Sequence, residues 1–261
     1  MTTPMIPPTS GVATASLLED PERHAVHPPE WSASLGRILV AAPHPDDESL
    51  GCGGLLSLLA DAGHDPHVLV LTDGSRSHTQ SPSYPAARIA ALREGETLSA
   101  LSELGLPACA AEFLRFGDCA LPAEHTAAFS DAVSLLRDRL TMIRPDTLLV
   151  PWRRDPHCDH HATWRLMRTA WLDAAPSARW LEYPVWAWTQ ASGDVAPRSD
   201  EASAWRLDIS TVLARKARAI ARHRSQLGEI IDDDPTGFAL QPEVLTYFLQ
   251  PWELYLEPVD V

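Results

Sequence analysis

The strongest constraint on this chain is a repeated alternation of short apolar runs with long helical stretches. "RILVAA" (37–42), "HVLVLT" (67–72), "EFLRF" (112–116), "TLLVPW" (147–152) and "RWLEYPVWAW" (179–188) read as strands, the last broken at Pro184. Between and after them lie the helical stretches "LGCGGLLSLLADAG", "SPSYPAARIAALREGETLSALSELG", "AEHTAAFSDAVSLLRDRLTMI", "DHHATWRLMRTAWLDA" and "TVLARKARAIARHRSQL". Gly63 and Gly105 mark helix ends, Pro145 stops the third helix, and Asp159 occupies a cap position of the fourth. Strand–helix alternation implies right-handed crossovers onto a mostly parallel sheet. The expected fold is a three-layer Rossmann-like α/β domain, helices on both faces, with functional loops at the carboxyl ends of strands.

With 261 residues and 45% hydrophobic content, the chain can bury one large core. Residues 1–35, rich in Pro, Ser and Thr, read as an irregular arm, and 36–261 as a single domain. "DVAPRSDEASA" (194–204) reads as a polar loop. The net charge of −14 lacks the basic footprint of a nucleic-acid binder. No apolar run approaches the ~20 residues needed to span a bilayer, and the N-terminal stretch lacks the pattern of a secretory signal. The four cysteines Cys52, Cys109, Cys119 and Cys158 contain no CxxC pair. They fit a reducing cytoplasm better than a disulfide framework. The composition leaves the oligomeric state open, a homo-oligomer included.

Two charged loops follow strands. "PHPDDE" follows the first and "PWRRDPHCDHH" overlaps the end of the fourth. In a parallel sheet both loops leave the same edge. They bring together His44, Asp46, Asp47, Glu48, Asp155, His157, Asp159, His160 and His161. Crowded carboxylates repel, and a divalent cation is the simplest remedy. Two imidazoles and one carboxylate suit zinc with an open fourth position. The same set occurs as the facial triad of non-haem iron enzymes, though the strand–helix period argues against the all-β scaffold of such oxygenases. Magnesium favours oxygen-rich shells.

Together the two motifs resemble the PIG-L/LmbE-like family of zinc-dependent N-deacetylases, which remove acetyl groups from N-acetylglucosamine in glycolipid and glycoconjugate precursors. "LTDG", "RxxE" at Arg93–Glu96 and "HRSQ" at His223–Gln226 extend the resemblance to roughly residues 37–250. It implies that His44, Asp47 and His160 hold Zn2+ and that Asp46 is the general base. It implies that a protonated His157 polarises the carbonyl or donates a proton, with Asp159 as its supporting carboxylate. Arg93 and Asp118 lie where the family grips the sugar. Cys158 stands where proline is common, and is not expected to ligate.

The residue types fit amide hydrolysis on chemical grounds as well. A zinc-bound water can reach a pKa near ~7, a tethered carboxylate can take its proton, and a histidine can stabilise the oxyanion. Glu48 is expected to orient a ligand or cap the following helix. Taken singly, each motif has a structural reading. His44, His157 and His160 alone would be loop histidines. Asp46 or Asp47 alone would be a helix cap, and Arg93 with Glu96 an i,i+3 pair. "GCGG" lacks the pattern of a phosphate loop and reads as packing space. Trp152, Trp186 and Trp188 flank strand ends as core residues or a sugar-stacking wall. The expected activity is hydrolysis of the N-acetyl group of an N-acetylated amino-sugar conjugate. The alternatives are an amidase for a thiol-sugar or longer-acyl conjugate, and a non-catalytic carbohydrate-binding protein.

Overall fold

The computed structural model describes residues 16–190 and 193–260. The strands are β1 Ala25–His27, β2 Ile38–Ala42, β3 His67–Thr72, β4 Ala111–Phe116, β5 Thr147–Pro151, β6 Arg179–Tyr183, β7 Ala202–Asp208 and β8 Trp252–Pro258. The helices are α1 Asp47–Asp61, α2 Ala86–Glu103, α3 Ala127–Ile143, α4 Cys158–Ala174, α5 Leu213–Ile220 and α6 Pro242–Phe248. The sheet order is β1-β7-β8-β6-β5-β2-β3-β4. Its pairings are parallel except for those of β8 with β6 and β7. The chain winds outward from β2 through β3 to β4, then returns to place β5 on the other side of β2. That reversal opens a crevice at the carboxyl ends of β2 and β5, the usual ligand position in such sheets.

The three-layer expectation holds residue by residue. In β2, Ile38, Val40 and Ala42 enter one apolar cluster, while Leu39 and Ala41 enter the other. The first cluster takes α1 and the buried residues of α5, and the second takes the inner faces of α3 and α4. Period-two alternation of apolar residues on both faces is what a central parallel strand requires.

Three expectations are corrected. The described part of the N-terminal arm is not irregular, because Ala25–His27 adds a parallel edge strand beside Trp205–Leu207. His27 and Trp31 stack there at 4.0 Å, and Trp205 packs against both. The polar loop at 194–204 runs into β7 at Ala202. The last helix expected from sequence, α5, ends at Ile220, and Arg224–Leu227 forms a separate short 3-10 turn.

Helix α1 is buried along almost its whole length. "GCGG" serves it as packing space, as expected: a Cβ at Gly51 would stand 2.3 Å from the ring of Tyr183. Tyr183 in turn donates from its hydroxyl to the Ala41 carbonyl at 2.8 Å, and so pins the ring beside the end of β2. From behind, the Glu253 carboxylate of β8 accepts from the backbone N–H groups of Gly54 and Leu55 at 2.6 and 2.8 Å. Lys216 Nζ at 2.7 Å neutralises that buried charge. Gly51→Val should force the helix off the sheet and cost about 1–3 kcal/mol, the usual range for overpacking. Urea unfolding of the two proteins measures it, and unchanged stability would show that the Tyr183 ring yields freely.

Candidate active site

The loops after β2, β3, β4, β5 and β6 all contribute to one cavity of about 210 Å³. Its floor is the loop 43–47 after β2 together with His157, at the N-cap of α4. Asp118 and Cys119, after β4, form one wall. Leu50, Trp186 and Phe238 form an apolar side, with Arg76, Ser77 and Gln226 opposite. The sequence-predicted residues His44, Asp46, Asp47, Arg93, Asp118 and His157 all line it. His160 and Asp159 lie immediately behind, 0% and 2% exposed.

The centre is the Asp47 carboxylate. Its Oδ2 lies 3.2 Å from His44 Nδ1 and 3.3 Å from His160 Nε2. Donors held at about 2.0–2.1 Å around a tetrahedral zinc stand roughly 3.3 Å from each other, so both contacts have the length of a tetrahedral edge. Both ring nitrogens of His160 are buried, and neither makes a hydrogen bond of acceptable geometry. A buried imidazole nitrogen aimed at a carboxylate without a proper bond is what a metal ligand shows when viewed by itself. The outward nitrogens are also matched by carboxylates. His44 Nε2 faces Asp159 Oδ2 at 3.0 Å and His160 Nδ1 faces Asp155 Oδ1 at 3.0 Å. Asp155 is fixed by the N–H groups of Val185 and Ala187, at 2.9 and 3.1 Å. Carboxylates behind metal-binding histidines orient the ring and raise its basicity. The residues therefore fit a divalent metal held by His44, Asp47 and His160.

Two expected roles change. The Asp159 carboxylate supports His44 rather than His157, and it accepts the Cys119 N–H at 2.8 Å. Nor is Asp159 the cap of α4: His157 is, its Nδ1 accepting the Asp159 N–H at 3.2 Å. That bond leaves Nε2 as the protonated nitrogen of a neutral ring. Burial, reinforced by the neighbouring His44 and His160, pushes the His157 pKa down to about 4. These surroundings favour the neutral ring with the proton on Nε2, where the resemblance implied a protonated one.

Asp46 occupies strained backbone, with φ 142 and ψ −28, a conformation of order 1–3 kcal/mol above the common ones for a residue with a side chain. Its surroundings leave it no alternative. Its N–H donates to Glu48 Oε2 at 3.0 Å, and its carbonyl accepts from Ser49 and Leu50, each at 3.0 Å. Arg93 Nη2 donates to Pro45 O at 2.8 Å and to Asp46 Oδ2 at 3.1 Å, while Nη1 donates to Gly74 O at 2.8 Å. Gly74 has φ +60, and a Cβ there would stand 2.4 Å from Arg93 Nη1, so the guanidinium needs glycine at that point. Arg93, only 3% exposed, is a strut between two loops with its edge on the cavity. Burial raises the Asp46 carboxyl to about 6; Arg93 opposes that rise and Asp47 adds to it.

Around the centre, burial opposes ionisation of Asp118, but hydrogen bonding to His44 and the Arg76 N–H bring its pKa well below the usual carboxylate range. Burial likewise opposes the charged form of His160, yet Asp47 and Asp155 raise it to about 9. His223 of "HRSQ" reaches the site from behind, 3.2 Å from Ser49 Oγ and 3.4 Å from Glu48 Oε1. Ser225 donates N–H and hydroxyl to Glu96 at 2.7 and 2.6 Å, so "RxxE" and "HRSQ" are two halves of one brace. Trp152 is core, its Nε1–H donating to Val195 O, and Trp188 is buried against Tyr247. Trp186 alone of the three lines the cavity.

Residues 39–171 match the GlcNAc-PI de-N-acetylase (PIG-L) family. The chain belongs to that family. It is 29% identical over 207 residues to the diacetylchitobiose deacetylase of Thermococcus kodakarensis, covering 74% of this chain and 71% of the relative. It is 27% identical over 252 residues to the 1D-myo-inositol 2-acetamido-2-deoxy-alpha-D-glucopyranoside deacetylase of Rhodococcus erythropolis, covering 75% and 83%. Among solved structures, the 4-carboxy-2-hydroxymuconate hydratase GalB of Pseudomonas putida superposes with a TM-score of 0.62 at 19% identity, covering 86% of this chain and 97% of that one. A hydratase on the same scaffold shows that the PIG-L fold does not by itself fix the reaction. Sequence reasoning about the PIG-L motifs assigned Asp155 no role, although it lies in "PWRRDPHCDHH" five positions before His160. Its carboxylate faces the ring of a buried histidine, which only the folded loop reveals. Arg93→Met should destabilise the PIG-L domain by about 3–5 kcal/mol, the cost of leaving buried Asp46 without its cation. Chemical denaturation reads this directly, and a loss below ~1 kcal/mol would remove Arg93 as a strut.

Proposed function

We propose that this protein is a zinc-dependent N-deacetylase, hydrolysing the acetamido group of an N-acetylated amino-sugar conjugate to acetate and free amine. The observation that carries the reading is the Asp47 carboxylate at tetrahedral-edge distance from both His44 and His160, with Asp46 and His157 on the cavity side. The names of both relatives support it. Each is a deacetylase, and the second name spells out a 2-acetamido-2-deoxyglucopyranoside. A cytoplasmic location belongs to the same reading, supported by cysteines that are all free thiols.

His44, Asp47 and His160 would hold the metal, which when bound supplies Lewis acidity for water and carbonyl. Asp46 takes the proton from the attacking water. A carboxylate raised to about 6 is ionised at neutral pH yet more basic than an exposed one. The water oxygen adds to the carbonyl carbon, and the His157 Nε2–H donates to the oxygen as its charge grows. Asp46 then passes its proton to the amide nitrogen, the C–N bond breaks, and amine and acetate leave. Arg93 keeps Asp46 aimed while its edge meets the sugar, and Asp118 accepts hydrogen bonds from sugar hydroxyls. Trp186 and Phe238 offer an apolar face to the sugar ring or its aglycone.

Asp46→Asn should retain bound zinc while kcat falls about 10²–10⁴-fold, the range for losing a general base. Metal analysis and a mass-spectrometric assay on acetylated amino-sugar conjugates, following loss of one acetyl mass, read the two effects separately. Wild-type turnover in this variant, or unchanged zinc after His160→Ala, would overturn the assignment. Asp155→Asn should weaken zinc affinity about 10–100-fold, as loss of a supporting carboxylate does. Competition with a chromogenic chelator measures it, and unaltered affinity would show that Asp155 does not act on the metal.

A further inference from the structure

Cys119 and Cys158 are far apart in sequence and meet at the cavity mouth. Their Sγ atoms and a ring nitrogen of His157 lie within 4.8 Å of one another. Both thiols are exposed, and Cys119 lines the cavity beside His157. Cys119 is held in left-handed backbone, φ 54, in a tight turn closed by the Ala120 N–H on Gly117 O at 3.0 Å. Its N–H is tied to Asp159, one residue beyond Cys158. The turn and this bond therefore hold the Cys119 backbone beside the start of α4, where Cys158 sits. The hydrolysis described above uses neither thiol.

We infer that Cys119 and Cys158 form a dithiol modification site that takes a small-molecule disulfide and closes to a Cys119–Cys158 bridge across the cavity mouth. Cys158 attacks first, its thiol being exposed at the first residue of α4 while the Cys119 S–H is held by Asp118 Oδ1. Its sulfur bonds to one sulfur of the small disulfide, whose S–S bond breaks to release one thiol. Cys119 then attacks the Cys158 sulfur and expels the second thiol. Its thiol, which burial and Asp118 push up to about 12, sits 3.5 Å from Asp118 Oδ1, which accepts its S–H. Two S–H bonds are lost and two are formed on the released thiols. The pair is oxidised by two electrons, and the small disulfide is reduced by two.

The full chain incubated with oxidised glutathione tests this by peptide mass spectrometry without reduction, a readout that needs no substrate and stands apart from the deacetylase reading. Expected is a linked peptide pair joining Cys119 and Cys158, two hydrogens lighter than the free pair. Cys119→Ser should stop at one glutathione adduct on Cys158, and Cys158→Ser should abolish the linked pair. Exposed Cys109 serves as the internal control, expected to carry only an adduct. Separate stable adducts on Cys119 and Cys158 in the wild-type chain, or modification of Cys109 with none of the pair, would overturn the proposal.

Discussion

One carboxylate oxygen organises the site. Asp47 Oδ2 meets the ring nitrogens of His44 and His160 and also accepts the His44 N–H at 2.9 Å. That convergence requires the ends of β2 and β5 to be neighbours, which is where the winding of the sheet reverses. The loops need only be short and charged once the sheet has set the distance. The electrostatic cost is considerable. Asp46, Asp47, Glu48, Asp118, Asp155 and Asp159 are each at most 7% exposed, and Arg93 is the buried guanidinium set among them. Partial relief comes from histidines whose protonation the carboxylates favour, as the raised pKa values of His44, His160 and His223 record. A divalent cation resolves the same surplus without relying on protons.

The three histidines of the site differ by environment. His44 and His160 each have a carboxylate on both nitrogens and are drawn towards the cation. His157 accepts a backbone N–H on Nδ1, and burial, reinforced by His44 and His160, draws it towards the neutral form. Identical side chains thus become ligand candidates or a hydrogen-bond donor according to what faces the second nitrogen. The same logic separates Asp46 from Asp47. Asp47 sits between imidazoles that hold its carboxyl low, though burial opposes them, while burial lifts Asp46.

The central strands and their helices were legible because strands buried on both faces carry nearly uninterrupted apolar residues. β3 runs over the residues of "HVLVLT", and β2 and β5 differ from their apolar runs by a residue at an end. The paired loops were legible because metal-ligating residue types are rare in such density. Hidden from sequence were β1, β7 and β8. β8 reads "WELYLEP", and the charge of Glu253 masks a residue only 3% exposed. Nothing local announces that Lys216 lies opposite to neutralise it. The role of Asp159 was hidden for a similar reason. Proximity in sequence joins it to His157, whereas its side chain crosses to His44 on another strand end.

That hidden strand matters to the site through α1. The front of this helix carries Asp47 and Glu48, and its middle is gripped by Glu253 through the N–H groups of Gly54 and Leu55. Tyr255 donates to the same carboxylate at 2.8 Å, and Lys216 closes the set from α5. Such a buried ion pair adds little net stability compared with apolar packing, but it fixes the helix along its axis, which apolar side chains cannot do. A slide of α1 by a fraction of a turn would carry Asp47 out of reach of His160 and release the strained Asp46. The polar contacts behind the helix therefore set the register of the polar contacts in front of it. A chain ending before β8 would keep every motif of the site and lose the contact that aligns them.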